Sequence, residues 1–116
     1  MTLVTGHYAH LHGVTGNDPS PKYAEKDSPL YNNRRAQLIS YIDQFDTLPE
    51  LFGEKGYLSH QSGKWWEGNF KRGGFTHGMT RGFPQKGGRH GDDGLKIGRE
   101  GLKECFDFID MAVEED

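Results

Sequence analysis

One lysine stands where a short strand gives way to a glycine. In Gly56-Tyr57-Leu58-Ser59-His60-Gln61-Ser62-Gly63-Lys64-Trp65-Trp66, residues 57 to 62 read as a strand, and Gly63 allows close backbone approach just before the lysine is delivered. A lysine ammonium is a compact point charge that suits a tetrahedral anion. Held in a partly dry crevice, it stabilises charge growing on that anion's oxygens better than water does. The spacing is not that of a Walker phosphate loop: six residues rather than four separate the glycines, and Trp65 occupies the Ser/Thr position.

Other residue groups bear on the same question. The stretch from Lys64 to Arg99 holds eight Lys/Arg against Glu67, Asp92 and Asp93, a net of +5 in a chain whose total is −3, so the middle favours anions. Within it, Lys71-Arg72-Gly73-Gly74-Phe75, Arg81-Gly82-Phe83 and Lys86-Gly87-Gly88-Arg89 mix cations with aromatics as RGG-type RNA-binding segments do. These pieces are irregular rather than repetitive, which weighs against nucleic acid and leaves Arg72, Arg81 and Arg89 suited to sulfate or carboxylate groups. His7, His10 and His12 form H-x-x-H-x-H, a spacing open to a transition metal, but on an irregular loop spacing does not set convergence. Asp92-Asp93, adjacent acids on a glycine-rich stretch, read as solvated rather than as metal ligands. The single cysteine, Cys105, excludes an internal disulfide and a cysteine-based zinc site, and is expected in the core.

The elements that must position these residues fit one domain of 116 residues. Leu, Ile, Val and Phe together supply 23 residues, a thin core, yet 12% aromatics and low net charge argue against disorder. Residues 7 to 33 read as loop. From Arg34, the spacing of Leu38, Ile39, Ile42 and Phe45 predicts a helix to about Gln44. Thr47-Leu48-Pro49-Glu50 is a capping box opening a second helix, with Gly56 suited to a left-handed cap. Gly63 to Gly101 carries 12 of the 17 glycines and reads as mostly irregular backbone, the kind of long loop that builds binding sites. Leu102, Cys105, Phe106, Ile109, Ala112 and Val113 predict a third, amphipathic helix. No stretch reaches the ~20 apolar residues of a membrane span, and no signal-peptide pattern opens the chain.

Two ordered motifs resemble the sulfatase family. Gly56-Tyr57-Leu58-Ser59-His60-Gln61-Ser62-Gly63-Lys64-Trp65 is similar to the family's second motif, with Trp66 where the family carries histidine or leucine. Thr5-Gly6 followed by His10-x-His12-Gly13-Val14 resembles the segment that follows the first motif, of which only Leu3-Val4-Thr5-Gly6 is present here. The resemblance implies an α/β, alkaline-phosphatase-like fold, with residues 1–116 expected to be an internal part of the catalytic domain. It implies a formylglycine nucleophile and calcium in the intact parent, with neither nucleophile nor metal ligands in this chain, and a periplasmic, secreted or lysosomal parent. It also implies that Lys64 contacts the sulfate and that Trp66 lines the substrate site without shuttling protons; the missing histidine's work falls to His77, to Glu67 or to a histidine beyond residue 116. The expected ligand is a sulfated small molecule or glycan held also by Arg72, Arg81 and Arg89. A phosphatase or phosphodiesterase of the same superfamily is the alternative enzyme reading.

Overall fold

The computed structural model describes residues 1–16, 18–65, 68–81 and 92–114. These form a mixed helical and strand architecture: α1 (Thr2–Thr5), α2 (Ala9–His12), α3 (Pro29–Ser40), α4 (Leu48–Gly53), β1 (His60–Gln61), β2 (His77–Gly78), α5 (Asp92–Glu100) and α6 (Lys103–Glu114). Two 3-10 turns, Tyr41–Gln44 and Phe70–Gly73, continue α3 and precede β2. The strands pair in parallel, His60 opposite His77 and Gln61 opposite Gly78.

The helix expected from Arg34 starts earlier, at Pro29, because Ser28 caps it: its Oγ accepts from the Tyr31 N–H at 3.2 Å, and proline suits the first helical turn. Apolar period alone misses this start, since Tyr31, Arg35 and Ile39 form the buried face and one of them is charged. Asp18 compensates, accepting from the Tyr31 hydroxyl at 2.7 Å and lying 3.5 Å from the Arg35 Nε, which ties the preceding loop to α3. That loop also contains α2, an element the sequence reading did not separate from it.

The capping box of α4 forms as the sequence predicts. The Thr47 N–H donates to Glu50 Oε2 at 2.7 Å and the Glu50 N–H donates to Thr47 Oγ1 at 3.4 Å. Thr47 is 1% exposed, and its hydroxyl also lies 2.8 Å from the buried Gly73 carbonyl, joining α4 to the second 3-10 turn. Gly74 follows at φ 79, and a Cβ there would collide with Glu50 and Thr47, so glycine meets both a conformational and a spatial demand. Ile39, Ile42, Met79, Thr47 and Thr80 are the most deeply buried side chains, with Trp65 set edge-on to Phe75 at 5.3 Å beside them.

Three expectations need correction. The strand predicted over residues 57 to 62 is only His60–Gln61, since that is where β2 lies alongside. The described residues between 63 and 101 are more regular than their glycine content implies, containing a 3-10 turn, β2 and α5. Cys105 is a free, half-buried thiol rather than a core residue. The stripe of α6 that defined its amphipathicity faces outward, with Leu102, Phe106, Ile109 and Val113 more than half exposed, while the adjacent face carrying Phe108 meets the strands.

Removing the Thr47 hydroxyl strips the α4 cap and leaves the Gly73 carbonyl unpaired in a buried place. Thr47→Ala is expected to lower the unfolding free energy by about 2 kcal/mol, measured by chemical denaturation at unchanged slope. A loss below about 0.5 kcal/mol would show that this junction carries little of the fold.

Candidate functional site

The Gly63-Lys64-Trp65 turn leaves the carboxyl end of β1, and Met79-Thr80-Arg81 leaves the matching end of β2. In parallel α/β sheets this end is where ligands are usually met. Hydrogen bonds hold the backbone on both sides of the lysine. The Gly63 carbonyl accepts from Gln61 Nε2 at 2.8 Å and from Thr80 Oγ1 at 3.3 Å, and the Gly63 N–H points to Met79 Sδ at 3.0 Å. The Trp65 N–H donates to Thr80 Oγ1 at 3.1 Å. Thr80 is itself fixed, its N–H donating to Gln61 Oε1 at 3.0 Å and its carbonyl accepting from the Phe70 N–H at 2.8 Å.

α5 closes over this turn through a glycine face. A Cβ at Gly98 would stand 3.0 Å from the Gly63 Cα, and one at Gly94 would run into the Gly63 carbonyl and Thr80. Small residues four apart let the helix backbone reach that of the turn, as they do at other close helix contacts. Asp93 anchors the start of the helix by accepting from the Arg81 N–H at 2.7 Å, while its other oxygen, Oδ1, is buried with no hydrogen-bond partner among the described residues. Asp93 is therefore a structural acceptor, not the solvated acid that the sequence reading expected.

Lys64 itself is exposed, and no described residue pairs or hydrogen-bonds with its ammonium. The partly dry crevice expected around it is not formed by the described residues. Trp66, Glu67 and Arg89 lie outside them. The structure gives Arg72 and Arg81 carboxylate partners of their own. Arg72 makes a two-pronged pair with Asp43 at 2.8 and 2.7 Å, and this hydrogen bonding raises its pKa above the ordinary guanidinium value. Arg81 donates to Glu104 at 2.6 Å and to the Gly78 carbonyl at 3.1 Å. Arg72 and Arg81, two of the four arginines between Lys64 and Arg99, are thus tied to carboxylates.

His77 does not gather with Lys64 but with a second group of residues. On the face of the strand pair turned to α6, the His60 and His77 rings lie 5.1 and 5.2 Å from the Phe108 ring. Arg81, Glu104, Asp107 and Met111 complete a cleft of about 500 Å³. Burial lowers the His60 pKa; the Glu104 carboxylate opposes that shift, and His77 and Arg81 add to it. Sequence reasoning placed none of His60, Phe108 and Glu104 in a site, because only strand pairing and helix docking bring them together.

The three N-terminal histidines go to separate partners. His7 bonds the Thr5 carbonyl through Nδ1 at 2.6 Å and packs on Phe45, and His10 stacks with Tyr8. His12 is 3% exposed, and its Nδ1 accepts from the Val14 N–H at 3.1 Å, so in the neutral ring the proton sits on Nε2, which has no partner among the described residues. Burial lowers its pKa, with the chain's amino terminus contributing next. Among the described residues no three His, Cys, Asp or Glu side chains converge as metal ligands, so the calcium implied by the resemblance finds no ligand set in them. Comparison with family models, with curated proteins and with solved structures finds no match for this chain.

Gly94→Ala drives a methyl group into the Gly63 carbonyl and Thr80. It is expected to loosen α5 and cost about 1–3 kcal/mol, read as faster hydrogen exchange in α5 and a lower unfolding midpoint; unchanged exchange would show that the glycine face is not needed. A depressed His60 pKa means that below about 6.5 the unfolded chain binds a proton that the folded chain resists. The His60 contribution to stability is therefore complete above that pH and is lost as pH falls toward the folded value. An imidazole titration midpoint for His60 at or above that of a free histidine would contradict this.

Proposed function

We propose that this chain is part of the catalytic domain of a sulfatase with an alkaline-phosphatase-like fold, acting on a sulfated carbohydrate or aryl ester, and that Lys64 contacts the sulfate. The reading is carried by one observation: the motif lysine occupies a turn beyond the carboxyl ends of two parallel strands, and the backbone on either side of it is pinned by Thr80 and Gln61. Attack on sulfur moves negative charge onto its oxygens, and a cation on a preorganised turn stabilises that charge without first rearranging the backbone. The exposed side chain retains its own rotamer freedom, so the pinning organises where the ammonium starts rather than where it points.

The remaining chemistry comes from residues of other kinds. No Cys or Ser in these 116 residues begins the C/S-x-P-S-R pattern from which a formylglycine is made; Cys105 lies instead between Glu104 and Phe106. In this reading a formylglycine and a calcium ion held by residues outside the described ones would supply the nucleophile and charge stabilisation, and the part of this chain is the Lys64 contact to one sulfate oxygen. Trp66, which can donate a hydrogen bond but cannot relay a proton, serves binding alone.

The 116-residue chain is accordingly expected to release no sulfate from an aryl sulfate such as nitrocatechol sulfate, and release would overturn this assignment of parts. Lys64→Ala is expected to weaken binding of a sulfated sugar by about three- to tenfold, more at low salt than at high, since an exposed charge contact is screened. Equal affinity in the parent and the variant at low salt would remove the sulfate contact.

A further inference from the structure

The cleft between the strand pair and α6 has the chemistry of a sugar-binding subsite. A pyranose ring offers two kinds of surface, an apolar face of C–H groups and a rim of hydroxyls that each donate and accept. The Phe108 ring, flanked by the His60 and His77 imidazoles at 5.1 and 5.2 Å, presents π faces to the first. For the second, the His60 ring nitrogens and His77 Nε2 are hydrogen-bonding groups, His77 Nδ1 being taken by Thr76 Oγ1 at 3.0 Å, and planar carboxylate and guanidinium groups can engage neighbouring hydroxyls in pairs. Glu104 and Asp107 provide the carboxylates, paired with Arg81 and Lys103 respectively, and both the carboxylates and the Arg81 guanidinium, which also donates to the Gly78 carbonyl, keep further hydrogen-bonding capacity for hydroxyls. The cleft's volume of about 500 Å³ suits a small organic ligand.

Other ligands fit less well. An inorganic anion would meet cations already neutralised by Glu104 and Asp107, and a plain aryl ring would use the π surfaces but leave the hydrogen-bonding rim unused. Position favours a chain of sugars. His60 precedes Lys64 by four residues, a span of at most about 14 Å of extended backbone, which a short oligosaccharide can bridge.

We propose that this cleft binds an unsulfated pyranose ring of the same glycan whose sulfate Lys64 contacts, so that the substrate is an oligosaccharide rather than an aryl ester. The inference rests on the sulfate-contact reading of Lys64 only for the identity of the second site, and the test separates the two.

Lactose and a monosulfated lactose are titrated into the isotope-labelled chain while backbone amide signals are followed. Both sugars are expected to shift His60, Gly78 and Phe108. Phe108→Leu keeps apolar bulk and removes the ring, and should weaken both sugars about fivefold. Asp107→Asn, on an exposed residue, should weaken both about threefold without disturbing the fold. Silent cleft signals with both sugars, or unchanged affinity in both variants, overturns the subsite. Lys64→Ala completes the separation. If it weakens only the sulfated sugar, both sites stand; if it changes neither sugar while Phe108→Leu weakens both, the sulfate contact falls and the cleft remains a sugar site. If Lys64→Ala weakens the sulfated sugar while the cleft stays silent, the subsite alone is lost.

Discussion

A single buried side chain, Thr80, governs how the strand ends are joined. Its hydroxyl receives the Trp65 N–H and approaches the Gly63 carbonyl, while its own backbone groups are taken by Gln61 and Phe70. Buried backbone donors and acceptors must find partners, and two residues of strand pairing cannot provide enough of them. Gln61 and Thr80 supply the rest, extending by side chains a ladder that the backbone abandons. The glycine face of α5 then lies on a turn whose polar groups are already satisfied, which is what allows so close a contact.

The two faces of α6 divide the molecule's surface chemistry. The face bearing Phe108 packs against imidazoles and is steadied by the Arg81–Glu104 pair, whereas the more apolar stripe through Phe106, Ile109 and Val113 is exposed. Exposed ion pairs contribute little by themselves, about 0–1 kcal/mol, so the ring contacts carry most of this docking. Lowering of the His60 pKa by burial belongs to the same economy: the neutral ring packs, and the protonated ring would face Arg81 and His77. The basic stretch is likewise less available than its composition implies, since Asp43 and Glu104 each engage one of its arginines.

Much of the local structure was legible in the residues because its causes are local. The Thr47–Glu50 box, the left-handed turn at Gly56 and the helix over the last residues follow from capping chemistry, glycine conformation and 3.6-residue periodicity. α5 was missed although Gly94 and Gly98 stand four apart in Asp92–Glu100, because glycine has low intrinsic helix propensity and its value here is close approach to a neighbour. The start of α3 at Ser28-Pro29 reads as loop from the sequence, because its buried face includes Arg35, which an apolar count cannot register.

For the candidate site, the sequence alone determined the order of residues around Lys64, the net positive charge of the central stretch and the lack of a C/S-x-P-S-R segment, since these are properties of the chain's composition and order. Tertiary structure decided which cations have partners, that Gln61 and Thr80 hold the lysine's turn, and that His60, His77 and Phe108 share one cleft. Apart from the local Gln61–Gly63 bond, those outcomes depend on contacts between residues far apart in the chain, such as Trp65 with Thr80 and His60 with Phe108, and such separations leave no period or spacing in the sequence to read.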